Sequence, residues 1–178
     1  MLVVSVMIQM AYKLKNEYEA DPSHCIWEEF MEHALEDLQQ QEADFSRPAA
    51  TTDRLFLSIG DNEVIEVSHP PCPEEAADIY KKGRPALRFG PMGAGRPVTA
   101  DELLRQDFAS RYELLGYDIE LDQVVESIVG NRKDSFIFIR GVADYLDGQK
   151  SKEWQPYAAL VAAAFMKAIL NVLPPTTD

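Results

Sequence analysis

Residues 135–170 read SFIFIRGVADYLDGQKSKEWQPYAALVAAAFMKAIL, and this stretch carries most of the fold and function information in the chain. The run Phe136-Ile137-Phe138-Ile139 has the apolar, β-branched and aromatic composition of a buried strand. It ends at Arg140-Gly141, and an acid, Asp144, follows shortly after the glycine. A polar loop leads to an Ala-rich helix opened by Trp154-Gln155-Pro156-Tyr157, expected over residues 154–173. In open α/β sheets, chemistry collects at the carboxyl ends of strands, where loops carry side chains into a crevice. Asp144 occupies such a position.

Working outward, the order of elements favours an α/β sheet. A helix is expected from Leu2 to Glu19, stopped near Asp21-Pro22 because proline disfavours helix in the residue before it. A second helix is expected from Ile26 to Gln41, with Ser23 as its cap. Its apolar residues Trp27, Phe30, Met31, Ala34, Leu35 and Leu38 share one helical face. Prolines and glycines punctuate residues 43–84, leaving short strands at Leu55–Ile59 and Val64–Val67 inside a compact excursion. Beyond it, strands are expected at Pro85–Met92 and Tyr117–Leu121. Helices are expected at Ala100–Arg111, capped by Thr99, and at Asp122–Val129.

The composition bounds the function. A chain of 178 residues with 46 % hydrophobic content is read as one domain with a substantial core. The net charge of −13, with no basic patch, argues against a nucleic-acid partner. Cys25 and Cys72 suit neither a disulfide framework nor a metal site, and read as reduced thiols of a cytoplasmic protein. No membrane partner is expected, because the apolar start MLVVSVMIQM falls well short of the roughly 20 residues needed to span a bilayer.

Glu120, at the end of the segment YDIEL, pairs naturally with Asp144 as a second strand-end acid. If the two strands are neighbours, one carboxylate can hold sugar hydroxyls while the other delivers a proton. The alternative reading makes Asp144 a turn cap and Glu120 the partner of an arginine.

The string from Arg140 to Leu170 resembles the C-terminal signature of the purine and uridine phosphorylase family, which includes methylthioadenosine/S-adenosylhomocysteine nucleosidases. It looks most like the eukaryotic branch often joined to NACHT, ankyrin or TPR regions. The shared pattern is an RG-x-x-DY-x-D junction followed by a W-Q-x-Y-A-A helix. Three other segments match in order: Thr52–Phe56 resembles a D-R-L-F junction, Phe89–Gly95 a G-x-I-A-S-G strand, and Asp118–Glu120 an E-M-E segment. The resemblance implies a three-layer αβα fold with a central mixed sheet, truncated at its N-terminus. On this reading residues 1–178 form one partial domain: a helical segment 1–42, the excursion 43–84, and an α/β half 85–178.

The resemblance also assigns roles. Asp144 matches the acid that protonates the purine as the glycosidic bond breaks, Glu120 the carboxylate that holds the ribose, and Ile119 the residue beneath the sugar. Val98 lines the base, Ala94 and Gly95 belong to the pocket, and Arg140 precedes the acid or orients neighbouring carboxylates. The implied partner is a purine nucleoside, with no cofactor other than phosphate as co-substrate of a phosphorylase. Ala94 replaces the family's usual serine and Arg96 its Asp or Asn. The Gly-rich strand and loop that would hold phosphate is absent, so the chain is expected to be inactive alone. The alternative is a non-catalytic nucleoside-sensing or protein-interaction module of a signalling protein. A third reading is a structural remnant that forms a homo-oligomer through uncovered strand edges and apolar faces, with helix one as the first candidate contact.

Overall fold

The computed structural model describes residues 2–23, 25–60, 63–71, 84–95, 102–118, 120–131, 136–145 and 152–175. About half of the described residues are helical, and the strands form two separate two-stranded sheets. The class is therefore mixed helix and strand. The expected central mixed sheet is not formed among the described residues. The chain divides into two compact units, residues 1–4 with 86–137 and residues 5–85 with 138–178.

The larger unit is built on helices. Helix α1 (Leu2–Ala20) buries Ala11, Leu14 and Tyr18, spaced to fall on one face. Helix α2 (Ile26–Leu38) buries Trp27 and Met31, as its apolar spacing requires. It ends before Gln41 and is preceded by Cys25, which gives no side-chain cap. Ser23 instead closes the preceding turn, its backbone N–H donating to Asp21 Oδ1 at 3.0 Å. The last helix of the chain, Gln155–Asn171, packs on α2. Its small residues Ala158, Ala164 and Ala168 are all buried, with Phe165 and Ile169 filling the space between helices.

Trp27 is 1 % exposed and stacks edge-on against Tyr18 at 4.8 Å and against Phe165 at 5.2 Å between ring centroids. One indole thus ties the first, second and last helices together. Its Nε1–H has no acceptor among the described residues. At the open end of this core, Tyr18 donates its hydroxyl to the Pro85 carbonyl at 3.2 Å. Arg84 bonds the Pro22 carbonyl and pairs with Glu28 at 3.0 Å, closing the connection between α1 and α2.

The smaller unit contains a short strand–helix–strand crossover. Strands β3 (Met92–Ala94) and β4 (Gly116–Asp118) run parallel, joined by helix α3 (Glu102–Tyr112). Tyr117 of β4 donates to the Arg105 carbonyl of α3 at 2.8 Å. Gly93 has no room for a side chain, since a Cβ would lie 2.5 Å from the Tyr117 ring. Helix α4 (Leu121–Gly130) follows at once and buries Leu121. The expected strand from Pro85 shrinks to Met92–Ala94, because Pro85 and Pro91 have no N–H for a ladder. Thr99, the expected cap of α3, lies outside the described residues. The final helix, α5 (Gln155–Asn171), closes the chain.

Two predictions follow from this packing. Trp27→Ala should destabilise the chain by about 3–5 kcal/mol in urea unfolding, while Trp27→Phe, which also removes the orphan donor, should cost far less. Burial also pushes the Cys25 thiol up to about 12 and raises Tyr18 in the same direction. Both groups are held neutral in the folded state and ionise more readily once unfolded. Their contribution is therefore fully present below the unfolded thiol range and is lost as pH rises from about 8.5. In a Cys72→Ser background, native Cys25 should resist alkylation at pH 8.5 and react only on unfolding.

Candidate functional site

The excursion after α2 folds into a β-hairpin. Strands β1 (Leu55–Gly60) and β2 (Glu63–Val67) pair antiparallel, with Leu55 opposite Val67 and Leu57 opposite Ile65. The ladder becomes irregular between Ser58 and Gly60. At its open end Arg54 Nε donates to Glu66 at 3.0 Å, and this hydrogen bond holds the Glu66 carboxyl below the usual carboxylate range. The pair is exposed, so it fixes geometry more than it stabilises.

Just before β1, Asp53 joins three segments. Tyr145 donates its hydroxyl to Asp53 Oδ1 at 2.9 Å. His69, just past β2, places Nε2 at 3.0 Å from the Asp53 backbone carbonyl and 3.7 Å from Oδ1. A carbonyl only accepts, so Nε2 carries the proton of this bond. The His69 and Tyr145 rings lie 5.5 Å apart. One residue therefore links the turn before the hairpin, the exit from it, and the segment ending at Tyr145.

That segment is placed by a glycine. A Cβ on Gly141 would overlap the carbonyl group of Ala158 in α5, its carbon at 2.5 Å. Gly141 thus lies against the helix backbone, and residues 136–145 carry no regular secondary structure, in place of the expected strand at Phe136–Ile139. Ile137, Phe138 and Ile139 are half-buried without forming a ladder, and an apolar run of this kind reports burial whatever the surface. Nearby, Trp154 donates its indole N–H to Thr52 Oγ1 at 3.0 Å. Arg47 lies over the Trp154 ring at 5.7 Å, and burial raises the neighbouring Tyr157 hydroxyl. Three strings conspicuous in the sequence, around Thr52-Asp53, Tyr145 and Trp154, are brought together here.

The depression beside Asp53 is open, has a volume of about 390 Å³, and is lined by Asp53 to Leu55 and by Glu66 to His69. Among the described residues, no group of His, Cys, Asp and Glu is arranged to hold a metal ion. The sequence reading did not single out His69 or Arg47. A lone His before two prolines and an Arg in an irregular loop give no periodic signal.

The other residues singled out are distributed as follows. Asp144 and Arg140 are exposed on the larger unit, Asp144 adjoining Tyr145 in the chain. Ala94, Gly95 and Glu120 belong to the smaller unit. There Ala94 pairs with Asp118, so Ala94 and Gly95 lie beside the end of β4, from which Glu120 follows. Gly95 is buried with φ 118°, a conformation that favours glycine. Glu120 is exposed; its backbone N–H is held by Asp118 Oδ1 at 3.0 Å. Ile119 and Val98 lie outside the described residues.

No family model matches the chain, and no solved structure matches it. A stretch of 95 residues, 53 % of the chain, is 30 % identical to a nucleotide-binding leucine-rich repeat (NLR)-like protein of Hyaloscypha variabilis. That stretch spans only 9 % of the length of the fungal protein. This finding overturns the resemblance to purine and uridine phosphorylases, and with it the description of the chain as a nucleoside phosphorylase, nucleosidase or glycosyltransferase. The residues that suggested it have packing roles: Gly141 admits the helix backbone, Tyr145 reaches Asp53, and Trp154 reaches Thr52.

Gly141→Ala tests the joint directly. The added methyl should force residues 138–145 off α5, costing about 1–3 kcal/mol in chemical denaturation, in the range of overpacked sites. A neutral effect would show that the close approach is not maintained in solution.

Proposed function

We propose that the chain is a non-catalytic protein-interaction module of an NLR-like signalling protein. The observation that carries this reading is the match to the NLR-like protein of Hyaloscypha variabilis over 53 % of the chain. The geometry supports it. Tyr145 and Trp154 of the C-terminal stretch hold loops together, and Asp144 and Glu120 are both exposed. A general acid that protonates a leaving group works best where water is excluded. Exposed carboxylates suit recognition of a polar or basic surface instead.

The charge of −13 disfavours nucleic acid as the partner, and no described helix is long and apolar enough to cross a membrane. The reading assigns the chain a protein partner and no cofactor. Interaction surfaces need rigid supports beneath mobile-length loops, and the joint of Asp53, Tyr145 and Trp154 supplies such a support.

Proximity labelling in the source cells, paired with a turnover assay on the purified chain, tests the proposal. The chain should release no free base from adenosine or inosine, with or without phosphate. The wild type and Asp144→Asn should enrich the same protein neighbour. Base release abolished by Asp144→Asn would overturn the reading, as would labelling no different from that of a charge-matched control.

A further inference from the structure

The β1–β2 hairpin leaves an apolar stripe uncovered. Leu57 is 53 % exposed and Ile65, directly across the ladder, is 45 % exposed. Directly opposed residues of an antiparallel pair share a face, so these two side chains stand together. Leu55 and Val67, the next pair on that face, are half-buried. Ile59, within the irregular end of β1, is 54 % exposed. A two-stranded hairpin is marginal by itself and gains stability when its apolar face is covered.

The dimensions and charge select what covers it. Two strands about 4.8 Å apart present a face roughly 10 Å wide, and six residues at about 3.4 Å each make it about 20 Å long. That is the footprint of one α-helix of about 13 residues. The rim is acidic: Glu63 is exposed on the same face as Ile65, and the whole chain carries −13. A second copy would bring a like net charge of −13 and the same acidic rim against the first. We propose that the Leu57–Ile65 face of the hairpin docks an amphipathic helix of a separate protein partner, with leucine-like residues on its apolar side and Lys or Arg along its edges. This inference rests on the reading of the chain as a protein-interaction module and names the surface that module uses.

The test is fluorescence anisotropy with a labelled amphipathic Leu/Lys peptide about 18 residues long, so that it is helical on contact. The comparison protein is Leu57→Ser/Ile65→Ser, which keeps every charge and alters only exposed positions. The expected result is saturable binding to the wild-type chain, weakened at least tenfold in the double variant. A Leu/Glu peptide of the same pattern should bind at least tenfold more weakly than the Leu/Lys peptide. Equal binding to both proteins would mean charge attraction alone and would overturn the proposal, as would equal binding of the two peptides. Concentration-dependent dimerisation of the wild type, abolished by the double variant, would assign the face to a second copy and also overturn it. If the double variant still enriches the wild-type neighbour in cells, the interaction reading stands and this surface falls. If neither protein enriches one, the broader reading fails.

Discussion

Trp27 is the contact on which the larger unit depends. Its indole touches Tyr18 on one side and Phe165 on the other, both edge to face. That arrangement brings the first two helices and the last helix together around one ring. Aromatic pairs of this kind add about 0.5–1.5 kcal/mol each beyond the area they bury. Other contacts of the larger unit attach to the same helices. The Tyr18 hydroxyl fixes Pro85, Arg84 closes on Glu28 and Pro22, and α5 offers Ala158 to Gly141.

From this scaffold the loops acquire their geometry. The segment before Tyr145 reaches Asp53 because Gly141 lets it lie against α5. The open end of the hairpin is tied down by Arg54–Glu66 and by His69 on Asp53. Beyond that end, Leu57, Ile59 and Ile65 are exposed, and they form the apolar surface of the docking proposal. Support at one end and exposure at the other is an arrangement suited to recognition.

Much of this was legible in the sequence. The 3.6-residue spacing of Trp27 and Met31 placed α2 face-inward, and the proline and glycine punctuation of residues 43–84 located the hairpin strands within a residue or so at each end. The β-branched run at 136–139 was misread as a strand, because composition reports burial and not the kind of surface that buries it. The segment carries no regular secondary structure, and Gly141 just beyond the run lies against the Ala158 carbonyl of α5. Function was harder still. The strings around Thr52-Asp53, Tyr145 and Trp154 looked like the signature of an enzyme family, yet the same residues form a packing joint, and the relative found is NLR-like. Residues that hold a fold together and residues that act on a substrate leave similar local patterns, and spacing alone does not separate them. Ile119 and Val98 lie outside the described residues, so their positions add nothing to that distinction.

The central claim is that Asp53 and Tyr145 are joined for structural reasons. A double-mutant cycle by urea unfolding, with Asp53→Asn, Tyr145→Phe and the pair together, measures that link most directly. The account predicts a coupling energy of about 0.5–1.5 kcal/mol between the two side chains. Strict additivity, with both single variants as stable as the wild type, would contradict it.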